Sequence, residues 1–196
     1  MPRKKTGLSL IELLVSVILM SLVLLGFFSI DTFSKNHVVT SDRRAKVQND
    51  ILYALEHMSK YVQRSSGNLN RNAIQSLGTG FRVYIDLRNT PSVFTDDGYI
   101  DYTLSANTLT ATCTPNGGTC PFASPEQLTN KIISGVVGNS SMPEPPVNGF
   151  YIRINNQGTA IDIGLAGRYI PAQAADLSNP QVAMKTGLLS SSASAQ

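Results

Sequence analysis

The chain has no tryptophan and only two cysteines and two histidines among its 196 residues. That leaves too few soft ligands for a His/Cys metal centre. Catalytic signatures are missing as well: there is no G-x-S-x-G, no H-E-x-x-H and no glycine-rich loop leading from a strand into a helix. The acids Asp96 and Asp97 are adjacent in sequence, a poor arrangement for opposed acid and base. We therefore expect no catalytic residue, no resident metal and no cofactor. Charged residues make up 15% of the chain, below the roughly 25% of an average soluble domain. Outside the first five residues there is no excess of either sign: Arg3, Lys4 and Lys5 supply the whole formal charge of +3, and the remainder carries thirteen bases and thirteen acids. A general nucleic-acid surface is thereby excluded. Finally, no proline occurs between Pro2 and Pro91, so nothing of that kind interrupts a long helix there.

What is present begins at the N-terminus. Leu8 to Ile30 is an apolar run with one charge, Glu12. As a helix this run is roughly 35 Å long, enough for a hydrocarbon core of about 30 Å. The three preceding positive charges place Met1 to Thr6 in the cytoplasm and the rest of the chain across the membrane. A cleavable secretory signal competes with this reading, but the run exceeds the usual 7 to 15 residues and no A-x-A-like site follows. No cysteine stands near its end for a lipid anchor. An acid within a spanning helix costs about 2.5–3.5 kcal/mol on insertion scales. Either Glu12 reaches the cytoplasmic interface, or it meets a positive charge from another copy or subunit and registers the helices.

The segment Lys4-Lys5-Thr6-Gly7-Leu8-Ser9-Leu10-Ile11-Glu12 resembles the class III signal of type IV prepilins and pseudopilins: a short basic leader, Gly, an apolar residue, and Glu at the fifth position after Gly. The resemblance implies cleavage between Gly7 and Leu8 by prepilin peptidase, an inner-membrane enzyme that recognises the leader with Arg3, Lys4 and Lys5. It also implies N-methylation of Leu8, and a role for Glu12 in meeting the terminal ammonium of a neighbouring subunit. Phe is commoner than Leu at the first mature position of that family. The implied fold is α+β and type IV pilin-like: a long N-terminal helix, half transmembrane and half amphipathic, packed on an antiparallel β-sheet.

The residues beyond the membrane agree with that order. Val47, Ile51, Leu55, Met58 and Val62 recur at helical spacing, and helix-compatible sequence from Leu8 to about Arg64 is roughly 85 Å long. Gly26 and the polar stretch Ser29 to Asn36 mark a place where that helix can loosen. His37 and His57 both fall on the stem and read as solvated or packed side chains. After Ser65-Ser66-Gly67-Asn68 the period changes to two. Phe81 to Leu87 predicts a strand, Tyr99 to Leu104 and Thr108 to Cys113 a hairpin, Ile132 to Val137 a strand, and Phe150 to Ile154 with Ala160 to Leu165 a second hairpin. One meandering antiparallel sheet on the apolar stripe accommodates all of them. The runs Tyr99 to Leu104, Asn107 to Leu109 and Leu52 to Lys60 are similar to segments of minor pilins and J-type pseudopilins. The expected organisation is a leader over 1–7, a transmembrane or filament-core helix over 8–30, an amphipathic stem over 31–64, and a periplasmic sheet domain over 65–196 ending in a frayed tail.

Cys113 and Cys120 enclose Thr-Pro-Asn-Gly-Gly-Thr, a turn-forming run that brings the sulfurs together. An oxidising compartment makes a disulfide the natural outcome, with a reactive dithiol as the alternative. Asp96-Asp97-Gly98 with Asp101 suggests either calcium or an ordinary Asp-Gly turn. Ser141 to Pro146 reads as an extended surface loop. The function expected is a structural subunit, a minor pilin or minor pseudopilin of a type IV pilus or type II secretion pseudopilus. Its partners are prepilin peptidase, other pilin or pseudopilin subunits and inner-membrane lipid. It spans the bacterial inner membrane once, with a cytoplasmic N-terminus, and then joins a periplasmic or surface filament. The alternative is an unprocessed, membrane-anchored periplasmic binding module.

Overall fold

The computed structural model describes residues 9–68, 70–90, 93–138, 148–155 and 157–190. The chain forms two compact units, Met1–Ser41 and Asp42–Gln196. Helix α1, Leu10–Val62, contributes to both and is continuous past Gly26 and the polar stretch that follows it.

In the first unit α1 exposes almost every described side chain. Leu10, Leu13, Val17, Met20, Phe27 and Phe33 are among those left uncovered, and this helix is long and apolar enough to cross a bilayer. Several of its hydroxyls are satisfied within the helix. Ser21 donates to the carbonyls of Val17 and Ile18, and Thr32 and Thr40 donate to those of Phe28 and Asn36. Such back-bonding spares these hydroxyls the penalty of standing unpaired in an apolar surrounding.

In the second unit the remaining part of α1 buries Val47, Ile51, Ala54, Leu55, Met58, Tyr61 and Val62. The expected stripe is therefore the packed face. Among the described residues this unit has nine strands: β1 (Ile74–Leu77), β2 (Gly80–Ile85), β3 (Gly98–Ser105), β4 (Thr108–Thr114), β5 (Glu126–Thr129), β6 (Val136–Gly138), β7 (Phe150–Ile154), β8 (Ala160–Arg168) and β9 (Gln181–Leu189). Phe81, Val83, Ile100, Tyr102, Leu109 and Ala111 point inward from β2, β3 and β4, and Phe150, Ile152, Ile161, Ile163 and Leu165 do so from β7 and β8. Together with the helix stripe they make one hydrophobic core. The α+β arrangement, a long N-terminal apolar helix packed on antiparallel sheet, is as expected.

Several details differ from the sequence reading. The described strands form two sheets: β1-β2-β3-β4-β5 and β6-β7-β8-β9. The first is antiparallel throughout, but β6 pairs with β7 in parallel. The strand expected over Ile132 to Val137 is interrupted. Ile132 makes only an isolated bridge to Gly167, and regular pairing begins at Val136. Gly135 has a positive φ of 106° there, and the turn it makes breaks the extended run. β1, β5 and β9 are additions to the strands that periodicity predicts. The first two have only four residues each, and β9 is an edge strand whose burial does not alternate cleanly. The expected frayed tail is corrected in part: Leu188 and Leu189 belong to β9, and Ser190 is buried against Ser65, its hydroxyl accepting from the Ser65 hydroxyl at 2.7 Å. The loop expected over Ser141 to Pro146 lies outside the described residues.

Gly167 explains how closely the helix sits. A Cβ there would stand 2.7 Å from the Lys131 carbonyl, 3.2 Å from Ile51 Cδ1 and 3.3 Å from Val47 Cγ1. Any larger residue would push α1 away from β8.

Candidate functional site

The candidate site is the start of α1. Arg3, Lys4, Lys5, Gly7 and Leu8 lie outside the described residues. Glu12 is described, in the first turn. Its Oε2 accepts the Ser9 backbone N–H at 3.0 Å, while the Ser9 hydroxyl accepts the Ile11 N–H at 3.3 Å. This reciprocal arrangement is a capping box: Ser9 is the N-cap and Glu12 stands three residues into the helix. Two otherwise unpaired donors are satisfied, and the Glu12 carboxylate sits at the positive end of the helix dipole. The acid thus has a local partner within its own chain. Ser9 has no role in the sequence reading, although S-x-x-E before an apolar run is the signal that identifies one.

The other residues singled out in the sequence fall in the second unit. Cys113 and Cys120 are joined in a disulfide, which excludes the free dithiol in this structure. The enclosed loop packs on the β2–β3 connection: Gly117 has φ 86°, and a Cβ there would overlap the Arg88 guanidinium. The acids are spread over separate contacts. Asp97 is buried and accepts from Arg71 and from the Ser66 hydroxyl. Asp101 takes a two-pronged bond from Arg82 at 2.7 and 2.9 Å, and this carboxylate pushes the guanidinium pKa further up. Asp96 accepts from the Thr90 hydroxyl at 3.0 Å. Among the described residues no group of three or more His, Cys, Asp and Glu converges as a metal site would require. A simple Asp-Gly turn also understates Asp97, whose carboxylate is an anchor of the core margin.

His37 lies on the exposed part of α1, beside Phe33. His57 is packed: its ring stands 4.9 Å from Tyr61, 5.0 Å from Phe122 and 5.8 Å from Tyr102, centroid to centroid. Burial lowers its pKa, with Glu126 opposing that shift.

The family model described as the prokaryotic N-terminal methylation motif matches residues 2–28. No curated protein and no solved structure matches the chain. The match ends within α1, so it covers the basic leader, the Gly7–Leu8 junction, the Ser9–Glu12 capping box and most of the apolar run. By that match the N-terminal segment of this chain is of the type IV pilin and pseudopilin type.

Proposed function

We propose that the protein is a minor pilin or minor pseudopilin, a structural subunit that prepilin peptidase cuts between Gly7 and Leu8 and whose new N-terminus on Leu8 is methylated. The observation that carries this reading is the methylation motif over residues 2–28, continuous with a helix whose apolar side chains lack cover up to Val39. A monomer in water would not keep that surface exposed, whereas a bilayer and then a bundle of like helices cover it in turn. Arg3, Lys4 and Lys5 hold the leader in the cytoplasm and present it to the peptidase.

In the membrane the helix amides and the Ser16 and Ser21 hydroxyls are internally bonded, and Glu12 is held by Ser9. Assembly then offers Glu12 a stronger partner, the ammonium on Leu8 of a neighbouring subunit, because a charge-assisted bond in a low-dielectric bundle exceeds a bond to a neutral amide. Exchanging the capping contact for that ion pair sets the register of adjacent helices. The second unit, with its closed core, faces outward into the periplasm. After loss of the leader the mature chain has thirteen bases and thirteen acids, so helix packing outweighs net charge in assembly. The neighbours are other pilin or pseudopilin subunits of a type IV pilus or a type II secretion pseudopilus.

Intact mass of the membrane-extracted protein tests this function. Loss of Met1 to Gly7 with one added methyl is expected. A chain that keeps the leader and an unmodified terminus, in cells where other prepilins are processed, would instead identify an unprocessed membrane anchor.

A further inference from the structure

The loop between β8 and β9 is set apart from the rest of the second unit by what it exposes. Leu177 is 85% exposed and Ile170 38%, and Ala172, Ala174 and Ala175 are uncovered beside them. The backbone beneath is nonetheless firmly held. Asn179, itself buried, donates to the carbonyls of Ile170 and Ala174 and accepts the Ile170 N–H at 2.7 Å. The Asp176 carboxylate accepts the N–H groups of Ser178 and Asn179. Bonding of this kind fixes the apolar side chains on the outside of the domain, where they cannot fold back onto the core.

Basic groups flank the same loop. Arg43 of α1 donates to the Ser178 carbonyl, and its guanidinium lies 5.0 Å from the centre of the Tyr169 ring, which Lys131 Nζ approaches to 4.9 Å. Arg168 donates to Gln181 and to the Gln173 carbonyl. Among the described residues none of these three bases forms an ion pair. The acids nearby are Asp42, paired with Lys46 at 3.0 Å, and Asp176 within the loop. The surroundings of the apolar tip are therefore net positive. Gly167 of β8 packs on Val47 and Ile51, whereas Tyr169, two residues later, meets Arg43. β8 thus runs toward the earlier residues of the packed helix, and the loop follows on from its end.

We propose that this loop is a headgroup-binding site for anionic phospholipid: Arg43, Lys131 and Arg168 attract the lipid phosphates, Tyr169 settles among the headgroups, and Leu177 and Ile170 press in beside it. Cations around an apolar tip are what an interfacial contact needs. The charges supply attraction to anionic lipid, the aliphatic side chains gain by leaving water, and a Tyr ring suits the boundary. A second copy of this chain offers no comparable negative surface, because its residues after Gly7 carry thirteen bases and thirteen acids. The inference rests on the proposed function only in taking α1 to cross the bilayer. From Ile30 to Arg43 is at most about 20 Å of helix, and the headgroup layer beyond the apolar core is about 5–8 Å deep. The Arg43 side chain, the loop and the ordinary tilt of a spanning helix bring the site within reach of that layer. Such a contact holds the sheet domain on the membrane until the subunit leaves the bilayer.

The full-length chain in nanodiscs of phosphatidylcholine with about 30% phosphatidylglycerol, carrying a trace of a phosphatidylglycerol analogue photoreactive in its headgroup, tests the site. After irradiation and trypsin digestion, the peptide Tyr169–Lys185 should carry lipid adducts alongside the peptides of α1. Measured against the α1 adducts, those on Tyr169–Lys185 should fall about fivefold in Lys131→Gln, the factor one base contributes near an anionic surface. Salt at about 0.5 M should weaken them by screening. Leu177→Asp should reduce them as well, with Tm unchanged, because Asn179 and Asp176 still hold the loop backbone. Arg153→Gln, which removes a base from an exposed position on β7, should have no effect. A bare Tyr169–Lys185 peptide beside labelled α1 would overturn the proposal and leave the loop to a neighbouring subunit. Equal labelling in Lys131→Gln and Arg153→Gln would overturn it too. Absence of adducts from α1 itself would count against the membrane anchor and the loop site together, whereas leader cleavage is measured separately by mass.

Discussion

Replacing Ile51 by Ala probes how the stem is held to the sheets. Ile51 is fully buried, and its Cδ1 approaches the space over Gly167 where a Cβ would come within 3.2 Å. Truncation removes three carbons from a saddle whose floor is the backbone of Gly167 and Lys131. That floor cannot collapse to fill the void, because Gly167 is paired between β8 and β9 and the Lys131 carbonyl accepts the Arg168 N–H. Ile→Ala in a core costs about 2–5 kcal/mol, and poor relaxation places this site near about 4 kcal/mol. The adjacent Leu52 is 42% exposed, so Leu52→Ala should cost at most about 1 kcal/mol. For a domain of this size each kcal/mol lowers Tm by about 2–4 °C. Thermal unfolding followed by tyrosine near-ultraviolet circular dichroism should therefore separate the variants by about 6–12 °C. Gly167→Ala should cost about 1–3 kcal/mol by overpacking. Its combination with Ile51→Ala should lose at least about 0.5 kcal/mol less than the two separately, since the shortened side chain on the helix vacates part of the space the new methyl needs. Equal losses at positions 51 and 52, or strict additivity at 51 and 167, would refute this account of helix docking.

Three further outcomes follow from the contacts described above. Glu12→Ala should leave leader cleavage largely intact and reduce incorporation into filaments, measured as the sheared-filament fraction against the membrane pool; normal incorporation would remove Glu12 from the assembly step. Arg71→Ala strands the buried Asp97 carboxylate and should cost about 3–5 kcal/mol, whereas Arg44→Ala, on an exposed helix position, should stay within about 0.5 kcal/mol in denaturant titrations. Reduction of Cys113–Cys120 should lower stability by about 2.5 kcal/mol, the loop-closure contribution of about eight residues in the chain-entropy account; an unchanged denaturation midpoint would show that Pro115 to Gly118 alone keeps the loop closed.

Patterns that depend on one chain segment were legible in the sequence. The apolar run after Leu8, the stripe from Val47 to Val62 and the alternation in β2, β3, β7 and β8 each follow from periodicity, and the structure buries the stripe and those inward strand positions. The basic residues Arg3 to Lys5 and Glu12 stand out through local spacing, and the matched motif spans them. Ser9 was legible too, through its distance of three from Glu12, yet its role emerges only from the two hydrogen bonds of the capping box.

Contacts between distant segments are another matter. β1, β5 and β9 acquire their strand form from neighbours, since short polar runs and an edge strand carry little apolar alternation. The division into two sheets, and the parallel pairing of β6 with β7, depend on where the chain turns at Gly135 and returns at Gly149. His57 shows the same division most sharply. Its place on the stem could be read from the sequence, but only folding brings Tyr102, Phe122 and Glu126 around it. The sequence by itself determined the long apolar helix and its N-terminal methylation motif, because both are local and written in hydrophobicity and spacing. Tertiary structure alone decided sheet order, the burial of Asp97 and the environment of His57, because burial and electrostatic shift arise from groups far apart along the chain.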